Sequence, residues 1–229
     1  MTTISLTSIP PRFDQLGGVL ESLLDQSIAA TVMLQIPQSY ARFPSPVMLP
    51  ALPEGVVVHR TARDYGPATK LIGALEAGTR GDVMICDDDC IYAPDWAEKL
   101  VAARRPGTAV SAHPYSVTRL RRSAKPPFDL IAQGFAGVLL DTRMLGRAIL
   151  DPPDEAFGVD DIWISAHLAL SKVPIVAAPE ARASVTPRGA AAALQDLRLN
   201  GRTRSEANTA CLDHLTARYG LWPPAVRSR

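Results

Sequence analysis

The chain has 229 residues, of which 24 are lysine or arginine, 23 are aspartate or glutamate, and 47% are hydrophobic. This length and apolar content suffice for a substantial core and exclude a disordered chain. The formal net charge of +1 argues against a general nucleic-acid binder, and no apolar run approaches the roughly 18–20 residues that cross a bilayer. Residues 1–12 lack the basic start and apolar stretch of a secretory signal, and the three cysteines form no CxxC pair. We therefore expect a soluble, reduced, cytoplasmic protein that binds no nucleic acid.

Strand and helix patterns alternate in the first part of the chain. Short β-branched or apolar runs predict strands at 3–9, 31–36, 56–59 and 82–86. Apolar residues at helical spacing predict helices at 13–26, after Pro67, and from Pro94 to 103. The proline-rich stretch 38–55 predicts irregular chain. This alternation indicates a parallel sheet with helices on its faces.

The pattern is less regular after residue 105. Apolar runs predict further strands at 108–112, 135–140 and 173–178, and helical spacing predicts helices at 160–170, 190–199 and 206–219. Residues 116–128 are basic and poor in helix signals. Because no linker is long enough to separate two domains, we expect one α/β domain over 1–229.

Three consecutive carboxylates, Asp87, Asp88 and Asp89, follow the predicted strand at 82–86. In an open α/β sheet, ligands bind beyond the carboxyl ends of strands. A divalent cation would relieve the mutual repulsion of such a triplet, and Mg²⁺ or Mn²⁺ prefers one or two carboxylates together with phosphate oxygens. The alternative is an acidic loop that caps the next helix. Cys86 and Cys90 flank the triplet at a spacing that matches no common zinc site, so we expect them to be packing residues.

A second acidic pair, Asp160 and Asp161, begins the predicted helix at 160–170. The helix dipole favours acidic residues there, so capping is one explanation. Two carboxylates exceed what a cap requires, and one of them is a candidate general base for a sugar hydroxyl.

These segments together resemble the nucleotide-sugar glycosyltransferases with the GT-A fold. The opening LTSIPPR at 6–12 resembles the nucleotide-holding strand and loop, 87–89 matches the DxD element, and FGVDDI at 157–162 resembles the motif before the acceptor-side helix. The segment DYGPATK at 64–70 also resembles a small bacterial glycosyltransferase group and, faintly, the exostosin-type domain. The resemblance covers about 3–180. It implies a Rossmann-like, mixed, mainly parallel sheet flanked by helices, with a nucleotide-binding part at about 1–105 and an acceptor-binding part at about 106–229.

The resemblance also implies roles for particular residues. Asp87 and Asp89 would hold Mn²⁺ or Mg²⁺ against the diphosphate of the donor, and Asp88 would lie nearer the ribose or donor sugar. Asp161 would occupy the position of the catalytic aspartate, and Asp160 would orient it or cap the helix. The residues expected at the nucleotide are Arg12, Asp64, which would accept an N–H of a uracil ring, and Lys70, which would reach the base or a phosphate. The implied activity is transfer of a sugar from a nucleoside-diphosphate sugar, with a UDP-sugar as the expected donor, to a glycan or lipid-linked acceptor.

Two departures from the family pattern stand out. The acidic pair is Asp-Asp where the family often has Glu-Asp, and no C-terminal histidine is identified as a metal ligand. His167 and His214 both fall within predicted helices, where packing or a surface role is expected.

Two further segments each have two interpretations. The stretch QGFAG at 133–137 is either an approach to the acceptor sugar or a turn into a core strand. Seven lysines and arginines and no acid lie between 99 and 128. Such a segment is either a surface for phosphate or for the inner membrane, which would make the protein peripheral there, or a solvated basic face.

Other enzyme classes share parts of this pattern. A nucleotidyltransferase normally opens with a glycine-rich loop, whereas SIPPRF at 8–13 has no glycine. A phosphatase of the haloacid dehalogenase type has its DxD after the first strand, not the fourth. A non-catalytic sugar-nucleotide-binding module of the same fold remains the third alternative.

Overall fold

A seven-stranded sheet forms the centre of the molecule, in a computed structural model that describes residues 2–44, 46–189 and 201–225. The strands of the described chain are β1 (Thr2–Thr7), β2 (Ala30–Pro37), β3 (Val57–Thr61), β4 (Asp82–Ile85), β5 (Cys90–Tyr92), β6 (Ala109–Ser111), β7 (Tyr115–Ser116), β8 (Leu130–Ile131), β9 (Val138–Asp141), β10 (Ile175–Ala177) and β11 (Val185–Pro187). The sheet has the order β10-β6-β9-β4-β1-β2-β3.

Six α-helices occur in the described residues. They are α1 (Phe13–Leu24), α2 (Thr69–Glu76), α3 (Trp96–Ala102), α4 (Asp160–Leu170), α5 (Pro179–Ala183) and α6 (Arg204–Tyr219). The predicted helices at 13–26, 160–170 and 206–219 and those after Pro67 and Pro94 are therefore confirmed. The predicted helix at 190–199 lies outside the described residues.

The sheet is mixed, and mainly parallel. Strands β1, β2, β3 and β4 run parallel, as their alternation with helices predicts. Strand β9 is antiparallel to both of its neighbours, β4 and β6. Two small antiparallel pairs, β5 with β11 and β7 with β8, lie outside the main sheet and are not predicted by the sequence, because runs of two or three residues have no readable period.

Alternate side chains of the sheet enter two separate cores. On one face, Ile4 and Leu6 of β1 are fully buried with Leu16 and Leu20 of α1. On the other face, residues of β4, β9 and β10 are buried with α4 and α6. Because side chains on both faces of the sheet are buried, the strands have nearly continuous apolar sequences. Within the described residues, no helix is both long and apolar enough to span a membrane.

A turn shortens the predicted strand at 135–140. Residues Gly134–Ala136 form a 3₁₀ turn, and β9 begins only at Val138. Between them, Gly137 has a φ of 107°, and a Cβ there would overlap the ring of buried Trp96. The indole N–H of Trp96 donates to the carbonyl of Ala136 at 2.9 Å. The turn therefore packs directly against α3, and only glycine fits at its end.

Replacing Gly137 by alanine should destabilise the fold by about 2–4 kcal/mol, because both backbone strain and overlap with Trp96 are introduced. Gly107→Ala is the matched control, since Gly107 also has a positive φ (72°) but no neighbouring atom within 4 Å of the place that a Cβ would occupy. Urea unfolding of the two variants should give a clearly larger loss for Gly137→Ala. Equal losses would mean that the contact with Trp96 contributes nothing.

Candidate functional site

The acidic triplet lies between β4 and β5, at the carboxyl edge of the parallel strands. The chain also leaves β1 and β3 at this edge, so that Arg12 and Asp64 follow those strands there. The N-terminus of α4 approaches the same edge, because Asp160 lies 2.9 Å from the ammonium of Lys70. Residues widely separated in sequence thus form one cluster.

Asp88 is the buried member of the triplet, with 5% of its surface exposed. Its two oxygens accept hydrogen bonds of 2.5 Å, one from the Ser8 hydroxyl and one from the Arg12 guanidinium. Burial raises the pKa of Asp88, and the charge of Arg12 opposes that shift. Asp88 thus anchors the loop after β1 to the loop after β4.

Asp87 and Asp89 keep part of their surface accessible, with side-chain exposures of 32% and 27%. Burial raises the pKa of Asp89, and repulsion from the nearby negative charge of Asp87 raises it further. The described residues contain no group of three or more metal-ligating side chains. Two accessible carboxylates fit Mg²⁺ or Mn²⁺, which take few protein oxygens and complete their shell with phosphate and water.

Lys70 is buried, with 1% of its surface exposed, and it joins the triplet to the second acidic pair. Its ammonium lies 2.5 Å from an oxygen of Asp87 and 2.9 Å from one of Asp160. Burial alone would lower the pKa of the Lys70 ammonium, but the charges of Asp160 and Asp87 hold it well above its ordinary value. The Ser5 hydroxyl on β1 donates to the Lys70 carbonyl at 2.6 Å and so fixes the first turn of α2.

Asp161 is half-buried beside Asp160 in the first turn of α4. The Gly134 N–H donates to one of its oxygens at 2.9 Å. Burial and the neighbouring charge of Asp160 raise the pKa of Asp161 to about 7, and the Lys70 ammonium opposes the shift. A carboxyl group that titrates near neutrality suits a general base.

Gly134 lets the turn before β9 approach the charged cluster closely. A Cβ at this position would lie 2.5 Å from Nζ of Lys70 and 3.4 Å from Asp161 Oδ1. The QGFAG segment is therefore a turn into a core strand, and its backbone also holds Asp161.

A pocket opens beside the triplet. Its walls come from five segments of the chain; the lining residues are Thr7, Ser8, Ile9, Arg12, Tyr40, Arg42, Phe43, Asp64, Gly66, Pro67, Asp87, Asp88 and Phe157. Tyr40 and Phe43 meet edge to face with ring centroids 6.0 Å apart. An aromatic wall next to carboxylates and arginines is suited to a ligand with a flat ring and a charged group.

Asp64 ties together two walls of this pocket. One of its oxygens accepts from the Gly66 N–H at 2.8 Å and the other from the Ala41 N–H at 3.0 Å. Because each carboxylate oxygen can accept a second hydrogen bond, Asp64 can hold the loop and still contact a ligand.

The hydroxyl of Tyr92 lies at the junction of the triplet and the turn before β9. It accepts from the Asp87 N–H at 3.1 Å and lies 3.0 Å from the carbonyls of both Asp87 and Phe135. Tyr92 thereby links the backbone of the triplet to the backbone next to Gly134.

All the residues predicted for the site fall in this cluster or the adjoining pocket. Arg12, Asp64, Asp87 and Asp88 line the pocket, whereas Lys70, Asp89, Asp160 and Asp161 lie outside its lining. Sequence reasoning missed the side chains that support them, namely Ser8, Tyr40, Arg42, Phe43 and Tyr92. Of these, only Ser8 lies in a segment that carries a signal, the opening LTSIPPR.

The histidines and cysteines for which packing is expected are placed accordingly. His167 is buried on α4, where burial lowers its pKa to about 4, and it stacks edge-on against Trp163. His214 lies on α6 with its ring 3.9 Å from Glu155. Cys86 and Cys90 are both buried, with free thiols.

The basic segment 99–128 is divided among several roles. Arg104 pairs with Asp82 at 2.5 Å, and buried Arg122 pairs with Asp213 at 2.7 Å. Arg119 is exposed and stacks over the Tyr115 ring at 5.0 Å. Part of the segment is therefore structural, and part is a basic surface.

No protein-family model and no curated protein sequence matches the chain. Solved structures are similar to it. The mannosyltransferase PcManGT from Pyrobaculum calidifontis, in complex with GDP-Man and Mn²⁺, superposes on 79% of this chain with a TM-score of 0.51 at 16% identity. The chain spans 55% of that protein's length.

A second similar structure covers the whole chain. Glucosyl-3-phosphoglycerate synthase from Mycobacterium tuberculosis, in complex with Mn²⁺ and UDP-glucose, matches 100% of this chain and 80% of its own, with a TM-score of 0.52 at 15% identity. Together with the mixed sheet, these similarities establish that the chain has the GT-A fold that its motifs predict. At these identities they establish the fold alone.

Replacing Lys70 by methionine should destabilise the protein by about 3–5 kcal/mol, because buried Asp160 and partly accessible Asp87 lose their counter-charge while the side-chain volume is nearly kept. Lys99→Met is the matched control: Lys99 pairs with Asp95 at 2.7 Å on the surface, where such a pair contributes little. Denaturant unfolding should therefore separate the two variants widely. A small loss for Lys70→Met would show that the cluster does not need the ammonium.

Proposed function

We propose that this protein transfers a sugar from a nucleoside-diphosphate sugar, most simply a UDP-sugar, to a glycan or lipid-linked acceptor, with the help of Mn²⁺ or Mg²⁺. The observation that carries the proposal is the convergence of two acidic groups on Lys70. Asp87 and Asp160 both pair with this lysine, and Asp87 lines the pocket whereas Asp160 and Asp161 do not. A donor in the pocket would then have its scissile bond between a charge-binding group and a base.

The pocket fits the nucleotide end of such a donor. Tyr40, Phe43 and Phe157 supply flat apolar surface for a base, and Asp64 supplies an acceptor for a ring N–H. Arg12 is bound to Asp88 and lies 3.3 Å from Asp89, so its charge is held next to the expected position of the phosphates. Lys70, being buried, would act on the phosphates through Asp87 rather than by direct contact.

Asp87 and Asp89 are the residues that would hold the metal ion, since both are accessible and both offer oxygen atoms. When bound, Mn²⁺ or Mg²⁺ supplies positive charge against the diphosphate leaving group. Asp88 would contribute by fixing the loop, because both of its oxygens are already engaged by Ser8 and Arg12.

Asp161 would act on the acceptor. The Gly134 N–H orients one of its oxygens, which leaves the other for an acceptor hydroxyl. If the reaction inverts the anomeric configuration, this carboxylate would take the proton of the attacking hydroxyl. If it retains the configuration, the carboxylate would steady the positive charge that develops on the donor sugar.

Asp89→Ala should lower the affinity for UDP in the presence of Mn²⁺ at least tenfold and leave the fold intact. Asp82→Ala is the control, because Asp82 is similarly exposed at the other end of β4 and pairs with Arg104, away from the triplet. Calorimetry with and without EDTA measures both effects. UDP affinity of the wild type that does not change in EDTA would contradict the metal assignment.

A second prediction concerns Asp161. Asp161→Asn should reduce turnover about 10²–10⁴-fold, as loss of a general base does, while affinity for UDP and metal is retained. The assay is release of UDP from a panel of UDP-sugars. Loss of UDP binding in parallel with activity would contradict this role, and metal-dependent binding of UDP-sugars without turnover in the wild type would favour the non-catalytic module.

The pH dependence gives an independent readout for the same residue. Since the base must be ionised and its pKa is raised to about 7, activity should rise as the pH increases through about 7. Asp160→Asn removes a negative charge that raises this pKa, so the rise should move to lower pH. An unchanged profile in Asp160→Asn would mean that another group controls the pH dependence.

A further inference from the structure

A second groove lies apart from the candidate site, at the carboxyl end of α4. It has a volume of about 380 Å³. Three chain segments form its walls; the lining residues are Ser123, Ala124, Lys125, Phe128, Ala169, Lys172, Gly220, Leu221, Trp222 and Pro223. None of these residues belongs to the cluster around Lys70, and none has a role in the proposed transfer.

The groove combines exposed positive charge with an apolar floor. Lys125 and Lys172 are exposed, whereas Phe128 and Leu221 are half-buried and Trp222 is buried. No carboxylate is among the lining residues, and neither lysine has an ion-pair partner within the described chain. The Lys172 ammonium lies 5.6 Å from the centre of the Phe128 ring. The lysines are therefore available to an anion from outside.

The backbone around the groove is strained in a way that the rest of the described chain is not. The three non-glycine residues with positive φ in the described chain are Arg121 (58°), Lys172 (60°) and Trp222 (51°), and each lies in or next to the groove. Left-handed backbone disfavours residues with a Cβ, so such positions need a reason. For Trp222 the reason is packing, because its indole N–H donates to the Phe128 carbonyl at 2.8 Å.

Lys172 has no such reason from packing. It occupies the position after α4 where helices most often place glycine, with its N–H donating to the Ala169 carbonyl at 3.0 Å and that of Val173 to Leu168 at 2.9 Å. Helix α6 ends in the same way but does use glycine, Gly220, with a φ of 64°. An exposed lysine at this position is less favourable than glycine, and its ammonium lies over the Phe128 ring. A role for its charge explains why it is there.

The walls of the groove are held together by backbone hydrogen bonds. The Ser123 N–H donates to the Pro223 carbonyl at 2.8 Å, and the Ala225 N–H donates to the Arg121 carbonyl at 2.9 Å. Exposed Arg121 thereby adds a third cation at the rim. The groove is thus a fixed, positively charged surface with an apolar floor.

We propose that this groove docks the protein onto an anionic phospholipid surface, with the lysines at the lipid phosphates and the Phe128–Leu221 floor against the upper acyl region. A nucleic acid would match the charge but not the apolar floor, and a soluble anion would not need that floor. Helix α4 has 11 residues, so its first turn, with Asp160 and Asp161, would lie about 16 Å along its axis from the groove. This inference does not depend on the proposed transfer, since it uses none of its residues.

The experiment is co-sedimentation of the whole protein with vesicles of neutral phosphatidylcholine, with and without about 30% phosphatidylglycerol. The wild type should bind only the anionic vesicles. Because basic residues near such a surface contribute additively, the double variant Lys125→Gln/Lys172→Gln should lower the partition coefficient about 30-fold. The control is Arg60→Gln/Arg80→Gln, which removes two exposed cations at β3 and before β4 and should bind as the wild type does.

Lys172→Gly separates this role from a structural one. It should raise the Tm by about 2–4 °C, because the strain is relieved, and it should weaken binding to anionic vesicles about fivefold. The proposal is overturned if the wild type does not bind anionic vesicles, or if RNA competes fully with the vesicles. It is also overturned if Lys172→Gly binds as the wild type does, or if the Arg60/Arg80 control loses as much binding as the lysine variant.

Discussion

The buried ammonium of Lys70 is the interaction on which the candidate site depends. It lies between carboxylates that belong to two distant parts of the chain, Asp87 after β4 and Asp160 at the start of α4. Several carboxylates withdrawn from water could not remain ionised together without a positive charge among them. The hydrogen bond from Ser5 to the Lys70 carbonyl ties the backbone of this lysine to β1, an inner strand of the sheet. The other residues of the cluster lie around the Lys70 ammonium, whose position is set by the buried core.

Because the Lys70 ammonium is shared by Asp87 and by the acidic pair of α4, the charge states of these two acidic groups are coupled. Any change in charge at Asp87 alters the potential at Asp160 and Asp161, because the same ammonium balances both sides. A ligand that neutralises Asp87 would leave more of the charge of Lys70 for the acids of α4. Occupation of the pocket side and ionisation on the α4 side are therefore linked through electrostatics, with no movement of the backbone required.

The strands, the main helices and the fold can be predicted from the sequence, but the contacts within the site cannot. The limits of α4 are predicted correctly because an acidic pair precedes a largely apolar run. The contact between Ser8 and Asp88 spans 80 positions, and no local pattern encodes such a distance. Tyr40 and Phe43 lie in a proline-rich segment without periodicity, so their place in a pocket wall could not be inferred. The family resemblance implies a ligand contact for Lys70; only the three-dimensional arrangement reveals that this lysine is buried and paired with Asp87 and Asp160.

The Tyr92 hydroxyl has a mechanical consequence. Since it bridges the backbones of Asp87 and Phe135, the loop that carries the triplet and the turn that holds Asp161 cannot separate without breaking hydrogen bonds at a fully buried ring. These two segments should exchange their amide hydrogens as one unit and open together or not at all. Any accommodation of ligands of different size must then come from the opposite wall, where the Asp64 carboxylate joins its own loop to the loop after β2 by accepting from the Ala41 N–H. Half of the cleft would be rigid and the other half adjustable.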